Sequence, residues 1–391
     1  MNNSIKKIER FISDNKDIIY ILPLIIYITC SLLSKKLLLD ENIVFVLKCV
    51  KYAVLLPILF KILFVDYKDY SKRTKKSLFF FCCFLIISIF FTTNTRTIIR
   101  YLLLILGAYK IDIRKTLSFF LKTELALFCG IIILSLFGII PNELYYRSGE
   151  IRYSLGFGWP TYPALILFTL TCLYLYLRDK KINNYEFIIL LVVNICMYFA
   201  TNTRFELISS ILVIAMAIFY KYNNKIIINN YIVNIAKYAL PFFTIVSVIL
   251  ANNYNPNNST YNKINDLTSN RVSLMSNAIK EHGITVFGQN IDWIGQSEKM
   301  QNKNVVAYVV DNGYINIILN YGLIFLIILE YCYYLLIKNY AKCNVFIAYL
   351  VIILAIHSFI NPQLMQIVYN PFLLFLVFPI IGYKSKKKVT L

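Results

Sequence analysis

The chain has 391 residues, 59% of them hydrophobic and 15% charged, with a mean hydropathy of +0.63 and a formal net charge of +20. That balance lies far from a soluble globular domain and reads as an integral membrane protein. The basic excess does not point to nucleic acid, because "DYKDYSKRTKKS" and "YKSKKK" are explained more simply as topology signals resting on anionic lipid.

The opening stretch "MNNSIKKIERFISDNKD" is polar, carries acids and leads into an apolar run with no small-residue cleavage site behind it. The first span is therefore expected to stay in place. Apolar runs near the ~20 residues that a bilayer-crossing helix needs follow at 18–33, 43–65, 78–91, 98–109, 117–140, 161–177, 186–200, 205–220, 231–250, 312–337, 345–360 and 371–383. Short runs such as 98–109 must borrow flanking residues. The expected fold is all-α: a single polytopic membrane domain over 1–391 with about twelve transmembrane helices.

Orientation follows from lysine and arginine. With a cytoplasmic N-terminus, the inner segments hold 23 of them and the short outer loops 6, which places both termini in the cytoplasm. Two outer loops are then too long to be turns, 141–160 with about twenty residues and 251–310 with about sixty, the second partly helical. The nine cysteines fall in predicted spans or, for Cys343, on the cytoplasmic side, so no external disulfide is expected. His282 and His357 stand far apart without a Cys or carboxylate cluster at ligand spacing, so neither a metal site nor a cofactor is expected. No phosphate-binding loop, dinucleotide fingerprint or nucleophile elbow occurs.

The outer side gathers arginines while lysine dominates the inside. Within "YYRSGEIRYSLGFGWPTYPA" stand Arg147 and Arg152, with Tyr145, Tyr146, Tyr153, Trp159 and Tyr162 beside them. These aromatics serve either as an interfacial belt or as stacking platforms for sugars. The tetrapeptide "TNTR" occurs at 93–96 and at 201–204, supplying Arg96 and Arg204. In its second copy Thr203 and Glu206 have capping-box spacing. In "INDLTSNRVSLMSNAIK", Leu267, Arg271, Leu274, Met275 and Ala278 fall on one helical stripe. Arg271 there either snorkels to headgroup phosphate or reaches into a site shared with the first loop. Arginine's planar fork grips two phosphate oxygens at once, so an outward arginine cluster suggests a phosphate-bearing ligand, and the apolar body gives a place for a lipid tail. Inside the spans, Lys48, Lys51, Lys61, Arg100, Lys122 and Glu124 must face water, partners or headgroups.

Four stretches together resemble the Wzy-type repeat-unit polymerases of bacterial O-antigen and capsule, relatives of the O-antigen ligases. "RSGEIRYSLGFG" separates Arg147 from Gly158 by ten residues, like the family's arginine–ten–glycine pattern in its first large outer loop. "TNTRFELISSIL" resembles its Ser/Thr-Arg element. "SNRVSLMSNAIKEHGITVFGQNI" resembles its second loop, although glycine follows Arg271 after eleven residues, at Gly283. "VDNGYINIILNYG" resembles the entry to the next span, with Asp311-Asn312 where the ligases and many polymerases have His-Asn.

The resemblance implies a metal-independent glycosyltransferase of the plasma (inner) membrane. It would move a growing glycan from undecaprenyl diphosphate to the terminal sugar of another lipid-linked repeat unit at the outer face. Its partners would be those lipid-linked units, membrane lipid and a chain-length regulator protein. Arg147, Arg152 and Arg271, with Arg204 in support, would hold the diphosphate as charge develops on it. Asp311 would be the base for the acceptor hydroxyl and His282 the second candidate. Asp311 fits equally as an N-cap of the span that follows, and His282 as a helix end before glycine. A ligase-type transferase and a flippase of the same pathway are the alternative functions.

Overall fold

The computed structural model describes residues 2–34, 40–147, 149–223, 226–294, 308–341 and 344–382. Cys343 and part of the predicted second loop, 295–307, lie outside the described residues. Nearly everything described is α-helical, apart from two four-residue strands, Leu144–Arg147 and Glu150–Tyr153, and an isolated bridge between Ile294 and Tyr308.

Eight helices among the described residues are long and apolar enough to cross a membrane: Lys16–Leu33, Glu41–Asp69, Ile113–Leu136, Thr161–Lys181, Asn184–Thr201, Arg204–Tyr222, Asn229–Asn253 and Leu323–Tyr340. The remaining runs make shorter or more polar helices. Thr95–Gly107 and Phe346–Ser358 have 13 residues each, Pro371–Ile381 is also short, and Lys72–Ile89 begins with "KRTKK". The run expected at 312–337 is broken by Gly322 (φ 89°), leaving Gly313–Tyr321 and Leu323–Tyr340 as separate helices. Glycine is required at the break, since a Cβ on Gly322 would lie 2.3 Å from the Val286 carbonyl oxygen.

The chain divides into two compact units. The first comprises Met1–Phe79, Arg100–Asn223 and Gln366–Leu391. Helix Thr161–Arg178 is its centre and packs against Ile113–Leu136, Asn184–Thr201 and Arg204–Tyr222. It is buried around most of its girth, whereas Asn184–Thr201 turns Ile188, Ile189, Val192 and Phe199 outward. Polar groups instead lie inside, where Asn194 donates to the Thr171 hydroxyl at 3.1 Å and the Thr169 hydroxyl to the Tyr369 carbonyl at 3.0 Å. An apolar exterior around an internally bonded polar interior suits a solvent of lipid tails, in which an unmade hydrogen bond is costly.

This unit also accounts for several charges within spans. Lys61 is fully buried and donates to the Asp66 carboxylate (2.6 Å) and to the carbonyls of Gly107 and Tyr109 (3.0 Å each), so all three ammonium hydrogens are used. The intervening Ile62–Asp66 forms a π-helical turn that brings Asp66 round to the lysine. Arg100 lies over the Tyr52 ring at 5.4 Å. Glu124 is buried, and its carboxylate oxygens have no hydrogen-bond partner among the described residues.

The second unit comprises Phe80–Ile99 and Asn224–Met365. Helix Phe346–Ser358 is buried on all sides, and Ile226–Asn253 packs along it and along Leu323–Tyr340. The phenol of Tyr314 donates to the Ala355 carbonyl at 2.8 Å, pinning Gly313–Tyr321 to the same core.

Candidate functional site

In the second unit several helix ends converge. The stretch read as one helical stripe through Leu267 and Arg271 is two helices, Ser259–Leu267 and Arg271–His282. Ser269 (φ 56°) and Asn270 (φ 65°) reverse the chain between them. The Asn265 side chain holds the reversal by donating to the Asn270 Oδ1 (3.0 Å) and accepting from the Ser273 amide (2.9 Å). The stripe fails because Ser and Asn tolerate the left-handed conformation, which a helical period does not reveal. Leu267 is consequently 77% exposed, while Val272, Met275 and Ala278 are buried.

Arg271 thus opens a helix and does not sit in the middle of one. Its guanidinium reaches back, Nη1 to the Thr268 carbonyl at 3.1 Å and Nε to the Ile360 carbonyl at 2.9 Å just beyond Phe346–Ser358. Nη2 faces the Asp311 carboxylate at 3.3 Å. The Arg271 side chain is 17% exposed and that of Asp311 38%, so the carboxylate is the more accessible partner and the guanidinium the more fixed one.

Asp311 is free for this role because its neighbour caps the helix. Asn312 is fully buried, and its Oδ1 accepts from the Ile315 amide at 2.9 Å. Its Nδ2 donates to the Ser247 hydroxyl and the Phe359 carbonyl, both at 2.9 Å. The N-cap is therefore Asn312, not Asp311, and Gly313 closes the junction, a Cβ there meeting the Ser358 and Asn361 carbonyls at 3.0 Å. Sequence reasoning missed Asn312, although an Asn-Gly immediately ahead of an apolar run is a legible helix start.

His282 ends the helix that Arg271 begins, with Gly283 in a positive-φ conformation after it. It packs beside Tyr308 and Trp293, whose rings stack at 5.4 Å, and its Nε2 is buried without a hydrogen-bond partner among the described residues. Burial, with Glu281 nearby, pushes the Tyr308 phenol up to about 12. Twelve helical residues put His282 about 16 Å along the axis from Arg271. The guanidinium points the other way, so His282 does not share the Arg271–Asp311 centre.

The first "TNTR" copy has a docking role in this unit. The Thr93 amide donates to the Asn290 Oδ1 at 2.8 Å, the Thr92 hydroxyl to the Gln289 and Asn320 carbonyls at 3.2 Å, and the Asn94 amide group to the Asn320 Oδ1 at 3.3 Å. Trp293 donates to the same Asn320 oxygen at 2.9 Å, so the turn after His282 is held by a bonded set of Asn and Thr. Arg96 is exposed.

The other candidates belong to the first unit. The predicted loop 141–160 contains a β-hairpin pairing Tyr145 with Arg152 and Arg147 with Glu150. Its inner face carries Tyr145, whose hydroxyl donates to the Gly158 carbonyl at 3.0 Å, and buried Arg152. Arg152 Nε donates to the Thr201 carbonyl at 2.8 Å, at the end of Asn184–Thr201, with the guanidinium 6.0 Å from the Trp159 ring centre. A cation at a helix C-terminus neutralises exposed carbonyls and the negative end of the dipole.

The second "TNTR" copy thereby serves as the seat of the hairpin. Asn202 (φ 47°) hydrogen-bonds the Glu150 carboxylate. Thr203 bonds to the Thr201 hydroxyl at 2.8 Å and makes no side-chain cap, so the capping-box reading fails because the hydroxyl has a competing neighbour. Arg147 and Arg204 are exposed, as is Tyr146. Gly156 (φ 83°) lies against Ile131 and Ser135, so this glycine serves close packing on Ile113–Leu136.

Among the described residues no group of His, Cys, Asp and Glu is placed to hold a metal ion. No family model, curated protein or solved structure matches the chain.

Proposed function

We propose that the chain is a surface-polysaccharide polymerase of the Wzy type, embedded in the plasma membrane. In this reading about twelve crossings leave both termini in the cytoplasm and turn the segments 141–160 and 251–310 outward. The observation that carries the proposal is the meeting of Arg271 and Asp311. The two are separated by 40 positions and suit opposite halves of one transfer, yet stand as an ion pair 3.3 Å apart at a junction of helix ends.

The chemistry follows from that pair. A hydroxyl of the acceptor repeat unit attacks the anomeric carbon of the donor glycan, and the carbon–oxygen bond to undecaprenyl diphosphate breaks, the electron pair leaving with the diphosphate. Asp311 takes the hydroxyl proton, and Arg271 stabilises the charge growing on the leaving group. Because two backbone carbonyls already orient Arg271, little reorganisation is needed at the moment of transfer. Binding of the diphosphate at Arg271 Nη2 would displace the more accessible Asp311 carboxylate from the fixed guanidinium and free it to take the proton. Arg147 and Arg204 are assigned to attracting the anionic lipid, and Arg152 to fixing the hairpin that carries Arg147. A chain-length regulator is the expected protein partner. Aspartate at the position where ligases carry histidine favours the polymerase over the ligase.

The test is deletion of the gene in its source organism, followed by complementation with wild type, Arg271→Ala or Asp311→Asn, reading polysaccharide length on a gel. Wild type should restore long chains, and both variants should leave single repeat units. Long chains in the deletion strain, or loss of single units as well, would sink the proposal.

A further inference from the structure

The end of Ile113–Leu136 remote from the hairpin holds a cleft that the polymerase reading does not use. Its volume is about 470 Å³, and Arg114, Lys115 and Lys122 line it together with the single carboxylate of Asp112. Lys115, Ser118, Phe119 and Lys122 follow the spacing of one helix face, so two exposed lysines two turns apart line the same opening. Asp112 is occupied as the N-cap, its Oδ1 accepting from the Lys115 amide at 3.0 Å. Among the described residues no carboxylate forms a salt bridge with Lys115 or Lys122. The far wall is closed by Arg114, which donates to the Leu177 carbonyl at 2.5 Å. Phe119 and Leu177 add apolar surface, and Lys122 lies 5.9 Å from the Phe119 ring centre.

Depth fixes the kind of ligand. Beyond Lys122 come Thr123 and the buried Glu124, which two positions on lies on another helix face, and then a run to Leu136 that is apolar but for Ser135, while before it lies the polar turn at Asp112. The cleft therefore stands where an apolar span meets water, about 10 Å deep from Lys115 to Lys122. An ammonium two turns inside such a helix needs a counter-charge at headgroup depth.

We propose that this cleft binds the phosphate of an anionic phospholipid headgroup, with Lys115 and Lys122 gripping the phosphate and Phe119 and Leu177 taking the start of the acyl chains. The site shares no residue with the Arg271–Asp311 pair and is assigned to a resident lipid, not to the substrate.

Native mass spectrometry of the full-length protein, titrated with phosphatidylglycerol against phosphatidylcholine, tests it. Wild type should prefer phosphatidylglycerol. The preference should fall about fivefold for Lys115→Gln or Lys122→Gln and about thirtyfold for the pair. A double Lys115→Arg, Lys122→Arg variant should keep the preference, which separates charge from folding, and Lys75→Gln with Lys76→Gln should keep it as a control at another helix start. Undiminished preference in the Gln pair would overturn the proposal, as would equal loss in the control. Inorganic phosphate that displaces the lipid and protects the protein against heat equally well would assign the cleft to a soluble anion instead.

Discussion

Arg152 and Arg271, each from a segment read as a long outer loop, show how differently two arginines are used. Arg152 is buried, with its Nε on the Thr201 carbonyl and its plane near Trp159, which makes it an anchor. Arg271 is also held by carbonyls, but it keeps one edge toward a half-exposed carboxylate. Removing Arg152 strands a helix-end carbonyl and loosens the hairpin. Arg152→Ala is expected to lower stability by about 1.5–3 kcal/mol, the range for a hydrogen bond to a charged group. Thermal unfolding in detergent should show the loss, with faster amide exchange over 144–153. An unchanged melting temperature and exchange pattern would refute the anchoring role.

Capping decides what the second unit can do. Because Asn312 takes the cap of Gly313–Tyr321, Asp311 is left to face Arg271. Asn312→Ala should cost about 1–3 kcal/mol, since it removes the cap and leaves buried partners unsatisfied. Asn312→Asp retains an acceptor for the Ile315 amide but loses both donations from Nδ2, to Ser247 and Phe359. It should recover only part of the loss, and equal melting temperatures for the two variants would show that the cap contributes nothing. The two "TNTR" copies illustrate the same dependence on context. Repetition is visible in the sequence, but one copy seats a turn through Asn290 and the other seats a hairpin through Thr201.

Outward-facing apolar residues and hydrogen-bonded polar groups inside recur in both units, and the Lys61–Asp66 pair is the sharpest instance. Burying an ion pair is tolerable only when every hydrogen is met, as it is here. Lys61→Ala should therefore destabilise by about 3–5 kcal/mol through the orphaned Asp66. Lys61→Met combined with Asp66→Leu should be much milder. If the single and double variants unfold at the same temperature, the pair is not coupled.

Composition and apolar run length are enough to specify an α-helical, membrane-compatible chain, because both are local properties that summed hydropathy reports. The identity of the arginines in the two segments read as long loops was legible in the same way, since charge and position in the chain can be read without coordinates. Partnership could not be read. The Asn265–Asn270 reversal, the Asn312 cap and the meeting of Arg271 with Asp311 across 40 positions each depend on which helix ends the packed fold brings together. A hydrogen bond is decided within an ångström or two, whereas residue order constrains distance only over a few turns of helix. For this reason the sequence could nominate the residues of the candidate site, and the packing of one helix end against another was needed to pair them.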